Sequence, residues 1–400
     1  MTTLAFAWRY LWSRPLAGAL NLLLLTLGLA SITFLLLISH QINKAFEREL
    51  AGIDVVVGAK GSPMQLILSG VFHLDVPTGN VPLAAVKALE NHPQVASLIP
   101  ISLGDSFRGF RIVGTTADYV RHYNAQLAQG KLWSEPMQIV IGSQVARQTG
   151  LQVGNRFAGT HGLGGGGDVH EKTPYTVVGV LAPSGTVLDR LLVTALESVW
   201  KVHEVDTALD AEDQKILEEE REVTLALIQY KTPLAAVTFP RFINTTTDMQ
   251  AAAPALEITR LLSMVGVGTD VLRGLAGVLL LTAGLSVFIA LWSAVRERRA
   301  DLALLRMLGA PPRKIAGLLL CEALWLALLA AVLGLLLGQG LTALMAMALQ
   351  LEKSVVIGAW VWPIELVSVP LLALGVALAS SALPAWEAYR VSVFELLQSR

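Results

Sequence analysis

Four stretches of the chain are apolar almost without a break. Residues 15–38 and 274–295 contain no Asp, Glu, Lys or Arg; residues 315–349 contain only Glu322; residues 366–383 contain none. Each meets the length of about 18–25 apolar residues that a helix needs to cross a bilayer core. The first holds eleven Leu. At roughly −0.5 kcal/mol per central Leu, these alone favour insertion by about 5 kcal/mol. Its apolar run is longer than the h-region of a signal peptide and no small-x-small cleavage site follows Ile38, so an uncleaved anchor is expected. The pattern predicts spans at 15–38, 271–295, 315–348 and 363–384.

Between the first two spans the pattern changes. Residues 54–57, 110–113, 138–141, 175–181, 191–194 and 225–230 are short apolar or β-branched runs that suit strands. Residues 83–91 have helical spacing after Pro82, and 143–149 form a short helix ending at Gly150. Residues 211–222 are charged and helical, a solvated face. Residues 254–265 carry apolar positions at helical spacing and run into the second span, as a stalk would. The expected fold class is an integral membrane α-helical protein with four transmembrane helices plus a large α/β (α+β) extracytoplasmic domain inserted between the first and second helices.

Charge sets the topology. Only 15% of residues are charged, fewer than in a soluble protein of this length. Arg9 and Arg14 precede the first span, five Arg and one Lys lie in 296–314, and Arg390 and Arg400 end the chain. Short basic loops stay cytoplasmic, so 1–14, 296–314 and 385–400 share that side. Residues 39–270 then form one large outer domain, and 349–362 a short outer loop. Trp8, Trp12, Trp292, Trp360 and Trp362 fall near span ends, as an interfacial belt does. A single cysteine, Cys321, forms no internal disulfide. Within 296–314, residues 301–308 read as a short amphipathic helix ended by Gly309 and Pro311.

These features together resemble the MacB/FtsX-like permeases, the type VII ABC transporter membrane subunits that include the lipoprotein-releasing permeases. Residues 4–27 look like the family's amphipathic entry helix and first span. In the outer domain, 82–95, 139–154 and 175–185 are similar to its periplasmic core domain. Arg296-Glu297-Arg298 through Gly309-Ala310 resembles its cytoplasmic "RERxxEIAxLRALGA" motif, and Ala382–Ala385 with Val393–Leu397 its terminal "PAxxAxxxxPxExLR". Two positions depart: Ala300-Asp301 stands where Glu-Ile is usual, and Ser392 where Pro often precedes the last helix. The resemblance implies an FtsX-like permease domain over 271–400 and a MacB-like core with stalk helices over 39–270, in a multi-pass protein of the inner (cytoplasmic) membrane. It implies mechanotransmission: an ATP-binding subunit presses on the cytoplasmic helix, and stalks carry the movement outward. The partners would be that ATPase, a second permease copy or paralogue, and a periplasmic adaptor or a cargo lipoprotein or peptide. Glu297, Leu304, Leu305, Arg306, Met307, Leu308 and Gly309 are the expected ATPase-coupling residues. The apolar ones would fill a cleft on the ATPase, Gly309 would permit the turn, and Arg306 and Arg313 would pair with acidic groups or lipid headgroups. An alternative is an ATPase-driven regulator, FtsX-style, that activates a periplasmic enzyme; the size of the outer domain argues for transport.

Candidate chemistry is sparse. No G-x-x-x-x-G-K-[ST] pattern occurs, so ATP and Mg would be bound by the partner and no cofactor by this chain. Ser62, Ser69, Ser102 and Ser143 lie in no Gly-x-Ser-x-Gly context and no His-Glu-x-x-His is present, which points away from catalysis. His161 and His170 flank the run Gly164 to Gly167, with Asp168 and Glu171 beside them, and a glycine loop could fold these onto a cation. His73 and Asp75 form a second pair. Neither has the tight spacing of a known site, so no metal ligand is assigned. Lys60 among small residues reads as an anion nest or as the loop before an apolar helix, 64–72. That helix would either contact a hydrophobic cargo or pack within the domain. Glu322, about two turns into the third span, either bonds a neighbouring helix or takes part in coupling.

Overall fold

The structure, a computed structural model, describes residues 3–13, 15–162, 169–203, 218, 220–297, 306–307, 309–351 and 360–390. The chain forms two compact units, Met1–Asn43 with Met264–Arg400, and Lys44–Ser263.

The first unit is helical. After a short helix, Thr3–Leu11, come four helices long and apolar enough to cross a membrane: Pro15–Leu50, Pro254–Glu297, Pro312–Ala348 and Ile364–Arg390. The last begins as a 3-10 turn and continues through Pro384. Residues spaced by three or four line up inward: Leu25 and Leu29, Ala283 with Val287 and Leu291, Ala323 with Ala327 and Ala330, Ala373 with Ala377. This is the stripe of a packed helix, whereas Leu16, Leu281 and Leu371 face outward. Close approach is set by glycine. A Cβ on Gly334 would lie 2.7 Å from Leu29 Cβ, and one on Gly338 2.5 Å from Thr33 Cβ. The two glycines are four residues apart, the small-xxx-small spacing that lets membrane helices meet backbone to backbone.

The second unit is built on a mixed sheet covered on both faces, with a separate two-stranded sheet of β2 and β11. The strands are β1 (Val55–Ala59), β2 (Val81–Pro82), β3 (Val95–Phe107), β4 (Phe110–Thr115), β5 (Leu127–Gly130), β6 (Gln138–Ile141), β7 (Arg156–Phe157), β8 (Thr160–His161), β9 (Tyr175–Leu181), β10 (Leu192–Ala195), β11 (Glu222–Val223), β12 (Leu225–Tyr230) and β13 (Met249–Ala252). The main order is β13-β1-β12-β3-β4-β10-β6-β9-β5, with β7 on β9 and β8 on β3. The pairs β4/β10 and β6/β9 are parallel. Residues of β1 alternate between layers: Val56 joins the cluster built on helix Pro63–Gly70, while Val55 and Val57 join the one under helices Leu83–Glu90 and Ala235–Thr246. A period of two does this wherever both faces of a strand are covered.

Several expected elements coincide with the structure, including β6, β9, β12 and the helix Ser143–Thr149, whose C-terminus is closed by Gly150 at φ 74°. The sequence pattern missed β3, in which Pro100, Gly104 and Asp105 interrupt the apolar run, and also β5, β13 and helix Ala235–Thr246. Most of the expected helix at 211–222 lies outside the described residues. Its last residue, Glu222, instead begins β11, paired with β2.

Candidate functional site

Between the second and third long helices, the second ends at Glu297, and Arg296 lies over the Trp292 ring at 5.5 Å. Leu304, Leu305 and Leu308 lie outside the described residues. Arg306 is half-buried and Met307 is 55% exposed. The Gly309 N–H donates to the Arg306 carbonyl at 3.0 Å, and Gly309 has φ 91°, a region costly for any other residue. The following helix starts at Pro312, where a missing N–H is harmless. Local sequence thus produces a tight turn that presents Met307.

Within the Lys44–Ser263 unit, the helical stretches at its two ends share one core. Phe46 and Leu50 from the first, and Ile258 and Leu262 from the second, pack on one cluster with Leu66, Ile67 and Phe72. Phe46 meets Phe72 edge-on at 5.2 Å. Polar contacts add direction. The buried Glu49 accepts the Val187 N–H at 3.1 Å, and its own carbonyl accepts the Tyr123 hydroxyl at 3.3 Å. Asp189 holds the adjoining turn by accepting from the N–H groups of Ser184 at 2.9 Å and Gly185 at 2.7 Å. Neither carboxylate stands in a recognisable motif, and only burial on a folded surface reveals them.

Other candidates resolve into structure. Helix Pro63–Gly70 buries Leu66 and Ile67, so it packs within the domain. Ser62 caps it and Lys60 is an exposed loop residue 3.8 Å from Asp248. His73 is buried and its Nε2 pairs with the Tyr119 hydroxyl at 2.8 Å. Burial, with Arg111 and Arg190 nearby, holds its pKa well below the usual histidine value, so it is neutral. Arg111, lowered to about 10 by burial, donates to the Asp75 carbonyl at 2.8 Å. His73 and Asp75 are therefore not a ligand pair. Glu322 lines a cavity of about 320 Å³ between helices, with Asn21 and Ser286 beside it joined by a 2.6 Å hydrogen bond.

His161 and His170 do come together, with ring centres 4.4 Å apart. Asp168 lies outside the described residues. The carboxylate that meets them is Asp105 of β3, which spacing along the chain does not suggest. Asp105 is 4% exposed, 3.3 Å from His161 Nδ1 and 3.7 Å from His170 Nε2. Among the described residues, this is the one group of three His, Cys or carboxylate side chains with donor atoms close enough to share an ion.

Comparison with known proteins agrees with this architecture. Residues 19–231 match the MacB-like periplasmic core domain, and residues 273–393 match the FtsX-like permease C-terminal. The chain is similar to the pyoverdine export ATP-binding/permease protein PvdT of Pseudomonas fluorescens strain Pf-5, with 25% identity over 88% of this chain and 54% of the relative. It is 22% identical to PvdT of Pseudomonas aeruginosa PAO1, over 88% of this chain and 53% of the relative. The chain thus spans about half the length of the curated relatives it matches. Among solved structures, the periplasmic region of MacB from Actinobacillus actinomycetemcomitans aligns at 12% identity and TM-score 0.35, covering 53% of this chain and 95% of that one. The extracellular domain of the noncanonic ABC-type transporter YknZ from Gram-positive bacteria aligns at 9% identity and TM-score 0.31, covering 49% and 98%. With the core-domain match spanning more than half of its residues, and the permease match following it, the chain belongs to the MacB/FtsX-type permeases of ABC transporters.

Proposed function

We propose that this chain is the inner-membrane permease subunit of an ABC transporter that works by mechanotransmission, exporting or extracting a hydrophobic cargo. The packing of both long helices into one cluster of the outer domain carries this reading. Phe46, Leu50, Ile258 and Leu262 share that cluster, so a displacement of either helix reaches the same layer of side chains. Close-packed interiors transmit such displacements rather than absorbing them. In the loop between the second and third long helices, the turn at Arg306–Gly309 supplies an exposed apolar contact, Met307, for a motor, with Glu297, Leu304, Leu305 and Leu308 as its further contact residues. These 400 residues contain no phosphate-binding loop, so ATP and Mg are bound by residues outside this sequence, on an ATP-binding partner. Two permease copies or paralogues complete the assembly. The relatives' names specify pyoverdine export, which favours export over the regulatory reading.

The test is affinity purification of the tagged chain in mild detergent, with co-eluting proteins identified by mass spectrometry. An ABC-type ATPase in stoichiometric amount is expected, and a third component would identify cargo, adaptor or regulated enzyme. If no ATPase co-elutes even with nucleotide trapped by vanadate, the permease coupling proposed here fails. Leu308→Asp is expected to insert normally but to lose the ATPase; unchanged ATPase binding would remove the turn from the interface.

A further inference from the structure

The outer domain carries a site that the transport reading does not use. Its scaffold is rigid and non-local. Asp105 on β3 and His161 on β8 are directly opposite in antiparallel register. The chain then returns so that Val169 bridges Thr160, and the His170 N–H donates to the Gly159 carbonyl at 3.0 Å. The near end of the excursion is tied to β3 as well: the Gly162 N–H donates to the Gly104 carbonyl at 3.0 Å, and the Ser106 hydroxyl donates to the Gly162 carbonyl. Two backbone registers, rather than a chance meeting of side chains, bring two imidazoles to one carboxylate.

The geometry is that of ligands. Around a tetrahedral zinc with bonds of about 2.0–2.1 Å, donor atoms stand about 3.3 Å apart. His161 Nδ1 and His170 Nε2 lie 3.3 Å and 3.7 Å from Asp105 Oδ1, and all three donor atoms lie within 4.8 Å of one another. Charge-assisted hydrogen bonds between such groups close to about 2.7–2.9 Å. The Asp105 side chain is only 3% exposed, so a cation held there would be little screened by salt. With ring centres 4.4 Å apart, the two imidazoles are close enough to direct nitrogen lone pairs at one cation. The His161 side chain is 46% exposed, which leaves a way in from solvent to the buried Asp105 at the floor.

We propose that Asp105, His161 and His170 form a site for a divalent transition-metal ion of the zinc class. Two imidazole donors select zinc, cobalt or nickel over calcium and magnesium, which take oxygen ligands. Three protein ligands leave a fourth position for water or for a donor atom of another molecule. The site stands independently of the mechanism proposed for the stalks and the cytoplasmic turn.

The experiment uses the full chain in detergent, carrying a tag without histidine, stripped with a chelator and titrated with zinc chloride against a chromophoric competitor. One equivalent per chain is expected, together with a rise in Tm. Cobalt chloride should give the visible absorption of a four- or five-coordinate ion. Loss of a ligand's outer partner alone costs about 10–100-fold in affinity, so His161→Gln and His170→Gln should each weaken zinc by about 100-fold or more. Both should also abolish the cobalt band and the zinc-induced rise in Tm. His161 is exposed, so His161→Gln keeps the fold even if Asp105→Asn does not. His40→Gln, in the helical unit, should leave every reading unchanged. Absence of a tight equivalent in the wild-type chain, or zinc and cobalt readings unchanged by His161→Gln, would overturn the site.

Discussion

Replacing Glu49 by alanine tests whether the first long helix is fastened to the core domain by a specific hydrogen bond or by apolar packing alone. Glu49 is 6% exposed, and its Oε2 accepts the N–H of Val187, itself 1% exposed. Alanine leaves that N–H without its acceptor, at a cost of about 1–3 kcal/mol. The neighbouring Arg48 is 44% exposed with its Nε 3.7 Å from Glu49 Oε1, and the partly buried Arg190 also acts on this carboxylate, so lost charge pairing adds to the cost rather than offsetting it. Taking about 2 kcal/mol, and a tenfold change for each 1.4 kcal/mol, local opening at Val187 should rise about 30-fold. Glu49→Gln retains an amide oxygen as acceptor and should cost less than about 1 kcal/mol. Hydrogen exchange of the full chain in detergent, read by mass spectrometry on peptides covering 184–190, measures this directly. Exchange in Glu49→Ala within about threefold of wild type would show that packing alone holds the helix end, and the anchoring argument would be wrong.

Three further perturbations discriminate other parts of the account. Gly338→Val places a Cβ 2.5 Å from Thr33 Cβ and should sharply reduce the yield of folded protein by size-exclusion chromatography. Gly340→Ala, with nothing within 4 Å of the added carbon, should behave as wild type. His73 is neutral when folded, its pKa lying well below the ordinary 6.5 that it regains on unfolding. The unfolded state therefore binds the extra proton in acid. Stability is at its full value above pH 6.5 and is lost below it, by up to about 1.4 kcal/mol per pH unit until the folded pKa is reached. Thermal unfolding from pH 7 to pH 5 should show a steeper fall in wild type than in His73→Asn, and identical slopes would refute the assignment. Ser62→Ala removes the side-chain cap that accepts from the Gln65 N–H and should lower stability by about 1 kcal/mol in the same assay.

The turn at Gly309 was legible in sequence because its ingredients are local. Gly309 and Pro311 break the helical pattern, and Gly309 indeed takes a positive φ, while the flanking apolar runs bound the segment on both sides. The outer domain was legible only in part. Strands with unbroken β-branched runs, such as β9, announced themselves, whereas β3 hid behind Pro100 and Gly104. That omission concealed Asp105, since a carboxylate becomes informative only when it is known to face inward from a strand. Gly334 and Gly338 carry the G-x-x-x-G spacing in sequence, but which helix they receive is a matter of packing.

The sequence by itself determined the four long apolar helices and the existence of a large α/β domain between the first two. Insertion free energy sums over consecutive residues, so it is a property of short windows. Tertiary structure alone decided that Glu49 meets Val187 and that Asp105 meets His161 and His170. Those partners are separated by scores of residues, and the meeting of Asp105 with His161 and His170 depends on strand register. Register is set by the burial of whole strand faces rather than by the residues that come into contact.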